Sequence, residues 1–170
     1  MTRDEDKIIN DFGNEWEEYD YQGFNNEKLL ENFEQYFSIF PWKSLPKNSE
    51  GFDMGCGSGR WAKIVAPRVG TLNCVEPSAA IEVAKKNLRD FKNIRFYNAR
   101  TNTCEIDPLS QDFGYCLGVL HHIIDTEGAL ADCAKLLKSK APLLLYIYYD
   151  LENRPMWFKA IWKCADLLRR

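Results

Sequence analysis

The chain has 170 residues, a formal net charge of −3, and 45 % hydrophobic against 28 % charged residues. That length and apolar content suffice for one domain with a substantial core and exclude a disordered chain. The mildly acidic balance excludes a general basic footprint for nucleic acid, and no apolar run approaches the length that spans a bilayer.

Residues 1–10 are charged and hold no apolar run, so they are not expected to act as a signal peptide. Residues 1–25 alternate acids and aromatics, with Gly13 and Gly23 as breaks, and read as irregular or short-helical. Asn25 or Asn26 can cap a helix whose Leu29, Leu30, Phe33, Phe37 and Phe40 recur at helical spacing until Pro41 ends it. Residues 41–49, with two prolines, form a linker. A short strand is expected to end near Met54, followed by a glycine-rich turn and a helix over 60–66 stopped by Pro67. Residues 71–76 are β-branched and apolar and predict a strand. Pro77-Ser78 opens a helix with Ile81, Ala84 and Leu88 on one face. Strands are predicted at 94–98, 113–120 and 143–149. Thr126 is the expected cap of a helix through Leu137, and Pro155 starts a last helix through Leu168. This alternation predicts an α/β fold, a mainly parallel sheet with helices on both faces.

Six cysteines are present without a CxxC pair, and histidine is scarce. No metal site is therefore expected, and the thiols read as reduced small hydrophobes of a cytoplasmic protein.

In an open parallel sheet, ligands bind beyond the carboxyl ends of the strands. There stands the turn Gly55-Cys56-Gly57-Ser58-Gly59, preceded by Asp53. Glycines let the backbone turn sharply and approach a ligand closely. Glu76 ends the next strand, where a carboxylate can accept both hydroxyls of a ribose. A dinucleotide-binding loop is one reading, but its G-x-G-x-x-G pattern has Arg60 where the third glycine belongs. Asp53 also fits a pyrophosphate poorly. An adenosyl amino acid carries an ammonium group and no phosphate, so the charge pattern favours S-adenosyl-L-methionine.

Residues 51–60, within GFDMGCGSGRWA, resemble motif I of the class I S-adenosylmethionine-dependent methyltransferases. Glu76 in NCVEPS looks like the family's ribose-binding acid, and DFGYCLGVLHHI is similar to its fourth-strand motif, with Asp125 at the trailing acid. The resemblance covers residues 50–149. It implies a Rossmann-like three-layer α/β sandwich of strand order 3-2-1-4-5 with an N-terminal helical cap. It divides the chain into a cap or lid segment, 1–45, and a methyltransferase core, 46–170, expected to be cut short of the family's final antiparallel strands. It further implies a transferase that uses S-adenosyl-L-methionine. Gly55, Cys56, Gly57 and Gly59 would form the cofactor loop, with Asp53 beneath it near the amino-acid portion. Glu76 would bind the ribose, and Asn98, Ala99 and Arg100 would border the adenine. Asn98 departs from the aspartate common there and offers a carbonyl without the charge. Leu117 and Gly118 would border the methionine side.

The acceptor is expected to be a small molecule, lipid or sugar intermediate, with no nucleic-acid partner. A non-catalytic cofactor-binding module and a nicotinamide-dependent oxidoreductase are the alternative readings. No catalytic base is assigned. The sulfonium is already activated, so positioning supplies much of the rate. His121 and His122 are candidates for a base, but the resemblance favours a loop-shaping role. The Phe12–Tyr19 stretch reads as a lid or as a packed segment. Tyr146, Tyr148 and Tyr149 are candidate acceptor-pocket walls. Cys56 is read as a small residue fitting the turn. The last helix, with Trp157, Phe158, Ile161, Trp162, Ala165 and Leu168 at helical spacing, is expected to cover strand five, a membrane surface being the alternative.

Overall fold

The computed structural model describes residues 26–148 and 154–169. Apolar and aromatic runs bounded by turn residues form five strands: β1 (Glu50–Met54), β2 (Thr71–Val75), β3 (Ile94–Tyr97), β4 (Phe113–Leu117) and β5 (Leu143–Tyr146). They make one sheet in the order β3-β2-β1-β4-β5, and every neighbouring pair is parallel. The helices are α1 (Asn26–Tyr36), α2 (Ala62–Val65), α3 (Ala80–Asn87), α4 (Thr126–Leu136) and α5 (Met156–Arg169). This is the Rossmann-like α/β architecture and strand order expected.

The period-two alternation of the strands divides the core into two layers. On one face Leu72, Cys74, Phe113, Tyr115 and Leu144 pack with Phe33, Phe37, Trp61, Val65, Ile81 and Leu88. On the other, Phe52, Met54, Val75 and Cys116 pack with Leu120, Ala129, Cys133 and Leu136. The central pair β1–β4 is fitted by two glycines. Gly51 lies opposite Phe113 and Phe52 opposite Gly114. A Cβ on either glycine would run into the facing ring. Bulk on one strand is thus answered by its absence on the other, which lets both rings lie against the sheet.

α1 is part of the core. Its Leu29 and Phe33 are buried there; just beyond the helix, the Phe37 ring sits 5.2 Å from Tyr115 and Phe40 6.1 Å from Phe113. Trp42 closes the cluster in a short 3-10 turn, Trp42–Ser44.

Several boundaries differ from expectation. The helix predicted over 60–66 is only Ala62–Val65, because Pro67 is accommodated by a 3-10 turn, Ala66–Arg68, and does not simply stop the chain. The fourth strand ends at Leu117, not 120. Gly118 takes φ +79° and breaks the ladder, and Leu120–His122 coil into a 3-10 turn. Asp125, not Thr126, caps α4, its carboxylate accepting the Gly128 N–H at 2.9 Å. Thr126 instead turns its hydroxyl back to the Ile123 carbonyl at 2.8 Å. The fifth strand ends at Tyr146.

The last helix departs most. Of its predicted stripe, Trp157 is 64 %, Ile161 61 % and Trp162 51 % exposed and Phe158 and Ala165 are half-buried, so most of this face is not covered by β5. No helix among the described residues is long and apolar enough to cross a membrane. The Phe12–Tyr19 stretch and Tyr149 lie outside the described residues.

Candidate functional site

The backbone after β1 cannot continue as a strand, because Gly55, Gly57 and Gly59 take φ of +76°, +52° and +85°. Side-chain-bearing residues pay for that left-handed region, so glycine recurs there. The turn is anchored to the neighbouring strand, with the Gly55 and Cys56 N–H groups donating to the Val75 carbonyl at 2.8 and 3.1 Å. Gly59 has a further reason to lack a side chain. A Cβ there would come within 2.5 Å of Leu88, so the turn lies directly on the end of α3.

The turn opens onto a cavity of about 270 Å³ beyond the carboxyl ends of β1, β2 and β4. Among the expected site residues, Gly55, Cys56, Gly57, Glu76, Ala99, Arg100, Leu117 and Gly118 line it. Asp53, Gly59 and Asn98 do not.

Glu76 is held in place by the turn it faces. One carboxylate oxygen accepts the Gly57 N–H at 3.1 Å; the other accepts the Ser78 N–H at 3.0 Å and its hydroxyl at 2.6 Å. A carboxylate fixed on three donors keeps one orientation without a ligand.

Asp53 is 2 % exposed and lies behind the turn, its carboxylate accepting the Tyr115 hydroxyl at 3.0 Å. Burial pushes this carboxyl up to about 7, and the nearby Glu76 charge adds to the rise. The Tyr115 hydroxyl and the Arg60 guanidinium act in the opposite direction. Burial likewise drives the Tyr115 hydroxyl well above its usual range.

Cys56 is 7 % exposed. A hydrogen bond with the Cys74 thiol and burial raise its pKa well above the ordinary thiol value. The thiolate that makes a reactive cysteine is thereby suppressed, in keeping with a small residue that fits the turn.

Arg60, where a dinucleotide loop would carry glycine, lines the cavity and lays its guanidinium 4.2 Å over the Trp61 ring. His122 lines the cavity too, whereas His121 does not. Desolvation lowers the pKa of both imidazoles, which keeps them neutral near pH 7. His121 packs 4.0 Å from His122 and 4.4 Å from Tyr148, and both its ring nitrogens are buried without a hydrogen-bond partner. Tyr146 stands edge-on to Tyr36 at 4.8 Å and Tyr148 edge-on to Tyr146 at 5.5 Å. Neither Tyr146 nor Tyr148 lines the cavity.

Beyond Asp125, the trailing acid of the fourth-strand motif, part of the lining carries a helical signal in the sequence. Asp125, Gly128, Ala129 and Asp132 all line the cavity. They recur at i, i+3, i+4 and i+7, one face of the first two turns of α4. Pro77, Thr101 and Asn102 complete the rim between the ends of β2 and β3; only their nearness to Glu76 and Arg100 in the chain marked them. No cluster of three or more metal-ligating side chains occurs among the described residues.

Residues 52–145 match the family described as methyltransferase domain. Curated protein sequences give no match. Among solved structures, the YcgJ protein of Bacillus subtilis is 22 % identical with a TM-score of 0.59, over 71 % of this chain and 50 % of that one. An S-adenosylmethionine-dependent methyltransferase of Leishmania major is 21 % identical with a TM-score of 0.56, over 66 % and 47 %. A phosphoethanolamine N-methyltransferase of Haemonchus contortus, solved with phosphomonomethylethanolamine and S-adenosylhomocysteine, is 21 % identical with a TM-score of 0.54, over 61 % and 25 %. At these identities the likeness is one of fold. The chain spans half or less of the length of each of these three.

Proposed function

The chain belongs to the methyltransferase-domain family, and from that premise we propose that it binds S-adenosyl-L-methionine in the cavity behind Glu76. There it passes the methyl group to a small-molecule, lipid or sugar-type acceptor. One observation carries the reading. The Glu76 carboxylate is fixed by Gly57 and Ser78 on the cavity wall, one strand across from the glycine turn. An acid so placed can accept a ribose diol while the turn admits the rest of the ligand at close range.

The residues present fit such a ligand. Gly118 has φ +79°, and a Cβ there would meet nothing within 4 Å. The space beside the end of β4 is open where the methionine portion would lie along Leu117 and Gly118. Ala99 and Arg100 border the adenine side in this reading, with Asn98 just behind. Gly55, Cys56, Gly57 and Gly59 shape the loop. Asp53 acts through the loop and not by contact: its buried carboxyl sets a negative field beneath the ammonium end of the ligand. The bound ligand supplies an activated methyl group. The protein's contribution is orientation and exclusion of water, and neutral His122 on the wall is the nearest imidazole able to take a proton from an acceptor that must lose one.

The family match supports an adenosyl amino acid over a dinucleotide. Methyl-labelled S-adenosyl-L-methionine incubated with amine, hydroxyl, lipid and sugar acceptors tests the activity. Label transferred to one acceptor class, and lost on Gly55→Val, is expected. Ligand binding without transfer to any class would leave a binding module in place of an enzyme.

A further inference from the structure

From the uncovered face of α5 and the charge that accompanies it, we propose that the C-terminal segment docks on an anionic lipid surface. Met156, Trp157, Ile161 and Trp162 together present a large apolar area within two turns of one helix, and each is more than half exposed. Single exposed apolar residues are ordinary in a folded protein, but a contiguous group with two indoles is not. The aromatics are also organised among themselves: Phe158 lies 6.4 Å from Trp162, stacked, and 5.9 Å from Trp157. Arg154 places its guanidinium 5.6 Å from the Phe158 ring.

Charge decides between the possible occupants. Residues 154–170 hold Arg154, Lys159, Lys163, Arg169 and Arg170 against the single acid Asp166, in a chain whose net charge is −3. A second copy of this helix would bring five cations against five, a like-charge juxtaposition that opposes a symmetric contact. An anionic bilayer attracts the cations, and its interfacial zone suits indole rings, which are apolar in body and polar at one N–H. With Arg154 before it and Lys159 and Lys163 among its aromatics, the helix would lie in the plane of the surface with its indoles in the headgroup boundary. This surface is separate from the cavity. The inference therefore stands independently of which acceptor the enzyme uses.

The test is co-sedimentation of the full chain with vesicles of phosphatidylcholine alone and of phosphatidylcholine mixed with phosphatidylglycerol. Binding to the mixed vesicles is expected, with a fall on raising salt and a blue shift of tryptophan emission. The double variant Trp157→Ala/Trp162→Ala should lose about tenfold in partitioning and most of that shift, with its thermal melt unchanged. Lys159→Glu leaves the aromatics intact and should weaken binding to the mixed vesicles alone, so it serves as an independent arm if the double variant misfolds. No sedimentation with either vesicle would overturn the proposal. Equal binding to both vesicles by all variants would do the same. So would concentration-dependent dimerisation that buries the two indoles, which would assign the face to a second copy.

Discussion

The two ends of the same sheet are built on opposite principles. Towards the amino ends of the strands several polar side chains are bonded to one another across strands. Asn73, fully buried, donates to Gln111 at 2.9 Å and to Glu50 at 3.0 Å, and Glu50 also holds Arg95 at 3.0 Å. Asp112 accepts the Glu50 N–H at 2.9 Å and binds Lys138 at 2.7 Å, and its carboxyl is held below the usual range by Lys138 and that N–H, burial acting against them. At the carboxyl ends the backbone is turned and the polar groups are costly to hold: four left-handed glycines, a buried carboxyl at about 7, and a buried imidazole with neither nitrogen bonded. The closed end pairs most of its side-chain groups across strands, though Asn73 Oδ1 and Ser49 Oγ stay buried without a partner; the open end places a turned backbone and the Glu76 carboxylate against a cavity. Substitutions at the first should change melting alone, and those at the second should change binding.

The largest effect belongs to the open end. Gly55→Val forces a β-branched residue to φ +76° and into Val119. It is expected to cost about 3 kcal/mol of stability and to abolish binding of S-adenosylhomocysteine, read by thermal melting and calorimetry. At the closed end, Gln111→Leu strands the Asn73 amide and should cost about 2 kcal/mol with ligand affinity unchanged. A change in affinity there would erase the contrast between the ends. Gly118→Ala meets no neighbour, so its cost is conformational alone, about 1 kcal/mol, with affinity reduced about tenfold as the backbone shifts beside the ligand.

Asp53→Asn gives the smallest effect at neutral pH and the sharpest pH signature. The folded-state pKa lies above the usual carboxylate value, so between about pH 4 and 7 the folded protein holds a proton that the unfolded chain has lost. Stability should therefore fall as pH rises through that window, and Asn should remove the fall in a melting series. A ligand ammonium favours the ionised carboxyl, so affinity for S-adenosylhomocysteine should rise as pH passes 7 in the parent chain and stay flat in the variant.

The closed end and the open end were unequally legible in the sequence. The strands and the glycine turn could be read, because alternating apolar runs and a G-x-G-x-G turn are local patterns; the strand order came only with the family resemblance. Glu76 could be placed because it ends a strand one crossover from that turn. The seclusion of Asp53 could not be read, since it depends on Tyr115, sixty-two positions away in the chain and its partner in the β1–β4 register. The β4 boundary failed for a local reason: Val119 and Leu120 are strand-like residues, but Gly118 had already turned the chain. The Asp125 cap was missed in favour of Thr126, one position along, where both residue types are able caps. The exposure of α5 defied its pattern, because a helical apolar stripe states that a face needs cover and not what covers it.

The most direct measurement is a calorimetric titration of the chain with S-adenosylhomocysteine, run beside Glu76→Ala. Binding at a single site by the parent, weakened at least about tenfold in the variant, is the predicted result. No binding by the parent would contradict the cofactor assignment, and equal affinity in both would contradict the role given to Glu76.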